Sequence, residues 1–231
     1  LIDNYNKSLE AVGKAGIHLV CYNFMPVFDW TRTDLAMPLP DGSTALAYDS
    51  SIIDGIDASE MFERIEKASG GFVMPGWEPN RRDEIMDLFD KYKDVTADKL
   101  RENYKVFLDG IMPTCEKYEI KMAVHPDDPA WDVFGLPRIV TCEDDMLKIA
   151  ALNNSIYNGF TFCTGSLGSN LNNDLPNIIR NPKIAERIHF AHIRNIKYEN
   201  DDLFHEVSHL SSDGNFDMYE IIMALIDTGF D

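Results

Sequence analysis

Amphipathic helical segments alternate with short apolar runs along most of these 231 residues, and this alternation constrains the fold more than any other feature. Strand, helix and strand in succession favour a parallel sheet, because parallel neighbours need a long crossover. Residues 1–15 place Tyr5, Leu9 and Val12 on one helical face, and Gly13 and Gly16 close the segment. Residues 17–24 read as a buried strand. Residues 98–119 form a long helix with Leu100, Tyr104, Phe107, Ile111, Cys115 and Tyr118 at helical spacing, and Pro113 predicts a kink in it. Lys121–His125 is the next strand. Thr141 with Asp144 has the form of a capping box for a helix reaching Leu152. Residues 158–163 and 187–194 are two further strands. Asp217 with Glu220 caps a last helix carrying Ile221, Ile222, Leu225 and Ile226, closed by Gly229. Residues 31–95 are less regular, with Pro38, Pro40, Gly42, Pro75, Gly76 and Pro79. They read as a long excursion with one or two helices inside a single domain spanning 1–231. Four strands are half the complement of a closed eightfold barrel, which takes about 250 residues. The chain reads as the middle of a barrel without its ends.

Charge narrows the partners. A net charge of −18 repels nucleic acid and anionic membrane surfaces. No apolar run reaches the roughly 18 residues of a membrane span. The start, Leu1-Ile2-Asp3-Asn4-Tyr5, has neither the basic residues nor the apolar stretch of a signal peptide, and it lacks Met, as an excised piece would. Cys21, Cys115, Cys142 and Cys163 form no CxxC pair, which fits free thiols in a reducing cytoplasm. An anionic substrate would need a local positive charge, from a metal or an arginine.

Three of the strands end in a side chain that binds metals: His125, Cys163 and His192. In parallel α/β architectures the carboxyl ends of the strands build the active site, so three donors at three such ends point to a metal centre. A lone buried His or Cys is more often core packing. The carboxylates of Asp127 and Asp128, directly after His125, could orient a ligand imidazole or pair with an arginine; an ordinary turn before Pro129 explains them equally well. Asn23, Asp29, Trp30 and Arg32 follow the first strand and suit polyol and carboxylate recognition, with Arg32 able to grip a carboxylate through two hydrogen bonds. A loop packed by Phe28 and Trp30 is the bland alternative. His205 and His209 miss the HExxH spacing of zinc proteases by one residue, and the segment reads as lining a loop.

Several long strings resemble one family. Residues 21–35 (CYNFMPVFDWTRTDL), 39–43 (LPDGS), 123–129 (AVHPDDP), 135–140 (GLPRIV) and 204–210 (FHEVSHL) are similar to segments of the bacterial mannonate dehydratases, in order along nearly the whole chain and most weakly at about 50–95. The resemblance implies a xylose-isomerase-like TIM (β/α)8 barrel, of which this chain covers mainly the central strands. It implies a Mn2+ or Fe2+ ion held by two histidines, a cysteine and an aspartate. The first three map to His125, His192 and Cys163. The aspartate is expected in an Arg-Pro-Asp-His-Gly segment beyond Asp231, and the family's first two strands have no counterpart here, so this stretch alone is expected to be incomplete for activity. Ligand softness by itself would favour zinc.

The implied reaction is a lyase step of hexuronate breakdown in the cytoplasm, the conversion of D-mannonate, a small sugar acid, to 2-dehydro-3-deoxy-D-gluconate and water. A divalent ion would stabilise charge developing beside the substrate carboxylate, and an acid would protonate the departing hydroxyl. His209, Asp127 and Arg194 are the candidates for the polar catalytic wall. A sugar isomerase or epimerase on a related barrel, and a non-catalytic truncated copy, are the alternative readings. Barrels of this kind often dimerise, and the 31–95 excursion offers a surface for a homodimer.

Overall fold

The computed structural model describes residues 1–53, 60 and 78–230. Among these described residues, eight strands form two four-stranded sheets. β1 (Leu19–Tyr22), β4 (Lys121–Val124), β5 (Asn158–Cys163) and β6 (Ile188–His192) are parallel, in the order β1-β4-β5-β6. Each new strand is added beside the previous one, with no reversal of direction across the sheet, so these residues form a parallel half-barrel rather than a doubly wound sheet. All six residues of β5 are buried, as expected of a strand covered on both faces.

The longer helices around this sheet are those that the apolar spacing predicts, whereas the crossover from β5 to β6 is made of three short helices that it did not predict, Thr164–Gly168, Leu175–Arg180 and Pro182–Ala185. The first of the longer helices, Ile2–Lys14, buries Leu9 and packs Tyr5 and Val12 against the core. The long helix Ala97–Tyr118 buries Leu100, Tyr104, Ile111 and Cys115, with Pro113 inside it. Its start is capped by Thr96, whose hydroxyl accepts from the Lys99 amide at 3.2 Å, and it ends on Glu119 in the left-handed region at φ 55°. Asp217 caps the last helix, Met218–Asp227, through the Glu220 amide. There Ile221 and Leu225 are buried while Ile222 and Ile226 are exposed. The box expected from Thr141 and Asp144 forms differently. Helix Glu143–Leu152 begins after Cys142, and Thr141 bonds to Asp145, one residue further on, through both its hydroxyl (2.7 Å) and its amide (3.3 Å).

The second sheet was not anticipated. Part of the 31–95 excursion is a hairpin, β2 (Asp34–Pro38) and β3 (Thr44–Asp49), and β3 pairs antiparallel with β8 (Leu203–Val207), which pairs with β7 (Asn195–Tyr198). The hairpin turns at 39–43, where the Leu39 amide donates to the Ser43 carbonyl at 2.9 Å and Gly42 sits at φ 86°, a conformation that favours glycine. The segment holding His205 is therefore a strand and not the loop expected from its polar residues, while His209 follows the strand. The expected helices of the excursion are represented by Ser50–Ile53 and Arg82–Tyr92; residues 54–59 and 61–77 lie outside the described residues. A separate core of Phe28, Tyr48, Ile53, Ile85, Val133, Leu136, Ile196 and Phe204 holds this sheet. Among the described residues no helix is long and apolar enough to cross a membrane.

One irregularity positions the site. β5 and β6 pair Phe160 with Ile188, but then Thr161 with Phe190, so His189 is an extra residue in β6. Continued without that slip, the register would set Cys163 opposite Ala191; with it, Cys163 lies opposite His192. Gly159 makes the bulge possible. A Cβ there would lie 2.3 Å from both the Arg187 carbonyl oxygen and His189 Nε2.

Candidate metal centre

His125 directly follows β4, and Cys163 and His192 end β5 and β6, so three adjacent parallel strands deliver the three side chains to one end of the sheet. Their donor atoms all lie within 4.8 Å of one another, and Cys163 Sγ is 3.5 Å from His192 Nδ1. Donors bonded to one ion at about 2.0–2.3 Å stand roughly 3–4.5 Å apart, so a few tenths of an ångström of side-chain rotation brings the outermost pair into range. His125 Nδ1 donates to the Pro126 carbonyl at 2.8 Å, which fixes the tautomer and leaves Nε2 for a ligand.

The sulfur is prepared for binding. Burial opposes ionisation of the Cys163 thiol, but hydrogen bonds with His125 and His192 and the charge of Arg194 outweigh it and hold the thiol well below its ordinary range. By contrast, burial pushes the Cys115 thiol up to about 12, as suits a core residue. A buried, ionisable thiol between two imidazoles is a donor set that fits a divalent transition metal.

Around the three donors lies a buried charge network centred on Asp128. Arg32 grips Asp128 with both terminal nitrogens, at 2.7 and 3.0 Å. Arg194 adds a bond of 2.8 Å to the same carboxylate, and the Ser166 hydroxyl donates to it at 2.9 Å. Burial works against the Asp128 charge, yet the two guanidinium groups hold its carboxyl far below the usual carboxylate range. Glu206, from β8, pairs with Arg194 and lies 3.7 Å from Arg32. Two cations thus face two carboxylates, and the guanidinium charges are largely spent within the protein.

An open pocket of about 170 Å3 sits over this arrangement. Its lining joins His125 and His192 to Asn23, Asp29, Trp30, Arg32 and Arg194, so the loop after β1 shares one cavity with the histidines. Asn23 donates to Asp29 across the pocket wall. Arg32 is buried between Trp30 and Phe204, its guanidinium carbon 5.9 and 5.3 Å from the two rings. It holds Asp128, where the sequence suggested a grip on a substrate carboxylate.

Two sequence candidates are not brought to the pocket. Asp127 is buried, accepts from the Ile139 and Val140 amides at 2.9 and 2.8 Å and pairs with Arg138, which makes it a brace for the 138–140 backbone. His209 is exposed and donates through Nε2 to the Ile193 carbonyl at 2.8 Å. Conversely, Ser166 and Glu206 were absent from the candidates, and Asp128 was weighed only together with Asp127, as a partner for an imidazole or an arginine. The double carboxylate after His125 was a signal for Asp128, since either residue could pair with an arginine. Ser166 and Glu206 carried none, because their roles depend on where Arg194 lands.

Both the sequence and the fold of this chain match known proteins. The family model for D-mannonate dehydratase (UxuA) matches residues 1–231. A mannonate dehydratase of Brachyspira hyodysenteriae is 57% identical over 230 residues, covering 100% of this chain and 64% of the relative. One of Thermotoga neapolitana is 46% identical over 230 residues, again 64% of its length. The crystal structure of mannonate dehydratase from Streptococcus suis serotype 2 superposes with a TM-score of 0.84 at 38% identity, covering 100% of this chain and 60% of that one. The chain therefore spans somewhat less than two thirds of the relatives it matches.

Proposed function

Since the chain belongs to the D-mannonate dehydratase family, we propose that it supplies the metal-holding half of a hydro-lyase converting D-mannonate to 2-dehydro-3-deoxy-D-gluconate and water. The observation that carries this reading is the convergence of His125, Cys163 and His192 on one another, with both histidines lining the pocket that also contains Asn23, Asp29 and Trp30. In the complete protein the four parallel strands would belong to an eight-stranded barrel, which would place this pocket at the carboxyl-terminal mouth where barrel enzymes work.

His125, Cys163 and His192 would hold a divalent ion, Mn2+ or Fe2+ as in the resemblance. When bound, the ion supplies the positive charge that stabilises an electron-rich intermediate beside the substrate carboxylate. The balance of charge in the site supports this division of labour. Arg32 and Arg194 are offset by Asp128 and Glu206, so within a chain of net charge −18 they leave little positive charge for an anionic substrate. The reaction removes the proton at C2, expels the C3 hydroxyl as water once it is protonated, and gives an enol that rearranges to the 2-keto acid. Asn23 and Asp29 present an amide and a carboxylate to the sugar hydroxyls, and the half-buried Trp30 offers an apolar face to the carbon chain. Asp128 keeps both arginines in place beneath them and does not itself carry the proton, because its carboxylate stays ionised.

The test is to incubate the complete protein with D-mannonate, assay the 2-keto-3-deoxy acid, and repeat after chelation and after restoring Mn2+ or Fe2+. Product that disappears with the chelator and returns with the ion supports the reading. Full activity in the metal-free protein, or no product under any condition, contradicts it.

A further inference from the structure

We propose that Arg194 is a positioning residue for the Cys163 sulfur, admitted to the site by the missing side chain of Gly165 and fixed there by Asp128 and Glu206. The inference rests on the metal-binding reading above and adds to it a device that orients one donor.

Arg194 lies two residues beyond His192, in the short link where the chain leaves the parallel sheet for β7. Thr164, the first residue after β5, fixes that link at both ends of residue 194. Its hydroxyl accepts from the Arg194 amide at 2.7 Å and donates to the Arg194 carbonyl at 2.6 Å. The side chain then folds back over Gly165. A Cβ on Gly165 would stand 2.8 Å from Arg194 Nε, 2.9 Å from Cζ and 3.0 Å from Cβ. These separations are too short for carbon and nitrogen in contact, so any side chain at 165 would push the guanidinium away. Gly165 lies in a helix, Thr164–Gly168, and its φ is not in the left-handed region that would call for glycine. Space for Arg194 is the reason left for a glycine there.

So placed, Arg194 Nη2 is 3.4 Å from Cys163 Sγ, 2.8 Å from Asp128 Oδ2 and 2.9 Å from Ser166 Oγ, while Nη1 pairs with Glu206. Ser166 Oγ is itself 3.2 Å from the sulfur. The sulfur is therefore approached by two polar groups of the protein in addition to the two imidazoles. An N–H aimed at a thiolate fixes the direction of one lone pair and draws charge from it, which tunes how strongly the sulfur binds a metal. Arg194 cannot serve as an acid, because guanidinium does not give up its proton in proteins. It acts through Cys163.

Cobalt reports on this arrangement, because a thiolate bound to Co2+ gives a sulfur-to-metal charge-transfer absorption. The complete protein is stripped of metal and titrated with Co2+ as wild type, Gly165→Ala, Arg194→Lys and Cys163→Ser. Wild type should show the band and Cys163→Ser should lack it. Gly165→Ala adds one methyl group and removes no polar atom. Arg194→Lys keeps the charge and loses the fork. Both should shift the band and weaken Co2+ binding by about 10–100-fold, the usual effect of disturbing the partners of a metal ligand. Near-ultraviolet circular dichroism checks that each variant is folded. Either variant, folded and with the wild-type band position and affinity, overturns the proposal while leaving metal binding intact. A wild-type protein that binds no Co2+ through sulfur overturns the metal reading and this inference together.

Discussion

At the scale of single residues, the structure separates two buried cysteines that composition cannot. Cys115 packs on the long helix among apolar neighbours, and Cys163 sits between imidazoles and a guanidinium. Replacing each with Ser in the complete protein should therefore divide the effects. Cys163→Ser loses bound metal and dehydration rate together, because a hydroxyl is hardly ionised near neutral pH and is a poor ligand. Cys115→Ser keeps metal and loses stability, since it places a hydroxyl in an apolar core. Metal per subunit and melting temperature distinguish the two, and full metal in Cys163→Ser would mark that thiol as structural. Asp128 makes a second prediction. Removing it as Asp128→Ala leaves Arg32 and Arg194 facing each other without their carboxylate, which should cost about 3–5 kcal/mol in denaturant unfolding. Its pH signature has a definite sign. The folded carboxyl ionises far below its unfolded value of about 4, so its contribution is complete above that pH and is lost as pH falls below it. Wild-type stability should drop more steeply below about pH 4 than that of Asp128→Asn; parallel curves would contradict this.

At the scale of elements, the bulge at His189 links the fold to the site. Because the extra residue in β6 sets His192 beside Cys163, a change that removes the bulge should move one donor away from the other two. Gly159→Ala makes that change, as its Cβ would meet the Arg187 carbonyl, and backbone cannot swing aside as a side chain can. The expected result is a loss of about 1–3 kcal/mol from overpacking together with weaker metal binding; lost stability with wild-type metal affinity would show that the bulge does not set the ligand register. The bulged His189 also carries its own pH effect. Burial, with the charges of Lys121 and Arg187, pushes its imidazole down to about 4. The unfolded chain binds a proton near pH 6.5 that the folded chain refuses, so stability should fall as pH drops from about 6.5 to about 4. His189→Gln should flatten that part of the curve, and an unchanged slope would assign it to other groups. These elements also show what sequence reasoning could reach. The four parallel strands were legible because each is a compact apolar run beside a helix with 3.6-residue spacing. The hairpin was not, since Pro38, Pro40 and Gly42 advertise a turn while Ala45 and Ala47 give little alternation. β8 was hidden by the polar pair His205 and Glu206, which face Glu199 and Arg194. A polar residue whose partner is brought in by another element has no signature in its own segment.

At the scale of the molecule, two sheets meet at one charge network. Asp128 follows β4 of the parallel sheet, Arg32 precedes β2 of the antiparallel sheet, and Glu206 reaches Arg194 from β8. The Thr31 amide adds a backbone bond of 3.0 Å to the Asp128 carbonyl. The centre is thus built where the half-barrel and the second sheet lock together; the three donors at strand ends were visible in the sequence, and Asp128, Arg32 and Arg194 were named there, but not their meeting in one network. The excess of carboxylates around this core predicts a salt effect. With a net charge of −18, self-repulsion opposes the compact state, and raising ionic strength shortens the screening length from about 30 Å at 0.01 M to about 8 Å at 0.15 M. The melting temperature of this chain should rise over that range, and a fall would mean that its ion pairs outweigh the repulsion. The central claim, that His125, Cys163 and His192 hold one ion, is tested most directly by X-ray absorption at the edge of the metal bound to the complete protein. The account predicts one sulfur neighbour together with imidazole scattering, and loss of the sulfur neighbour in Cys163→Ser. A first shell of oxygen and nitrogen alone in the wild-type protein would contradict it.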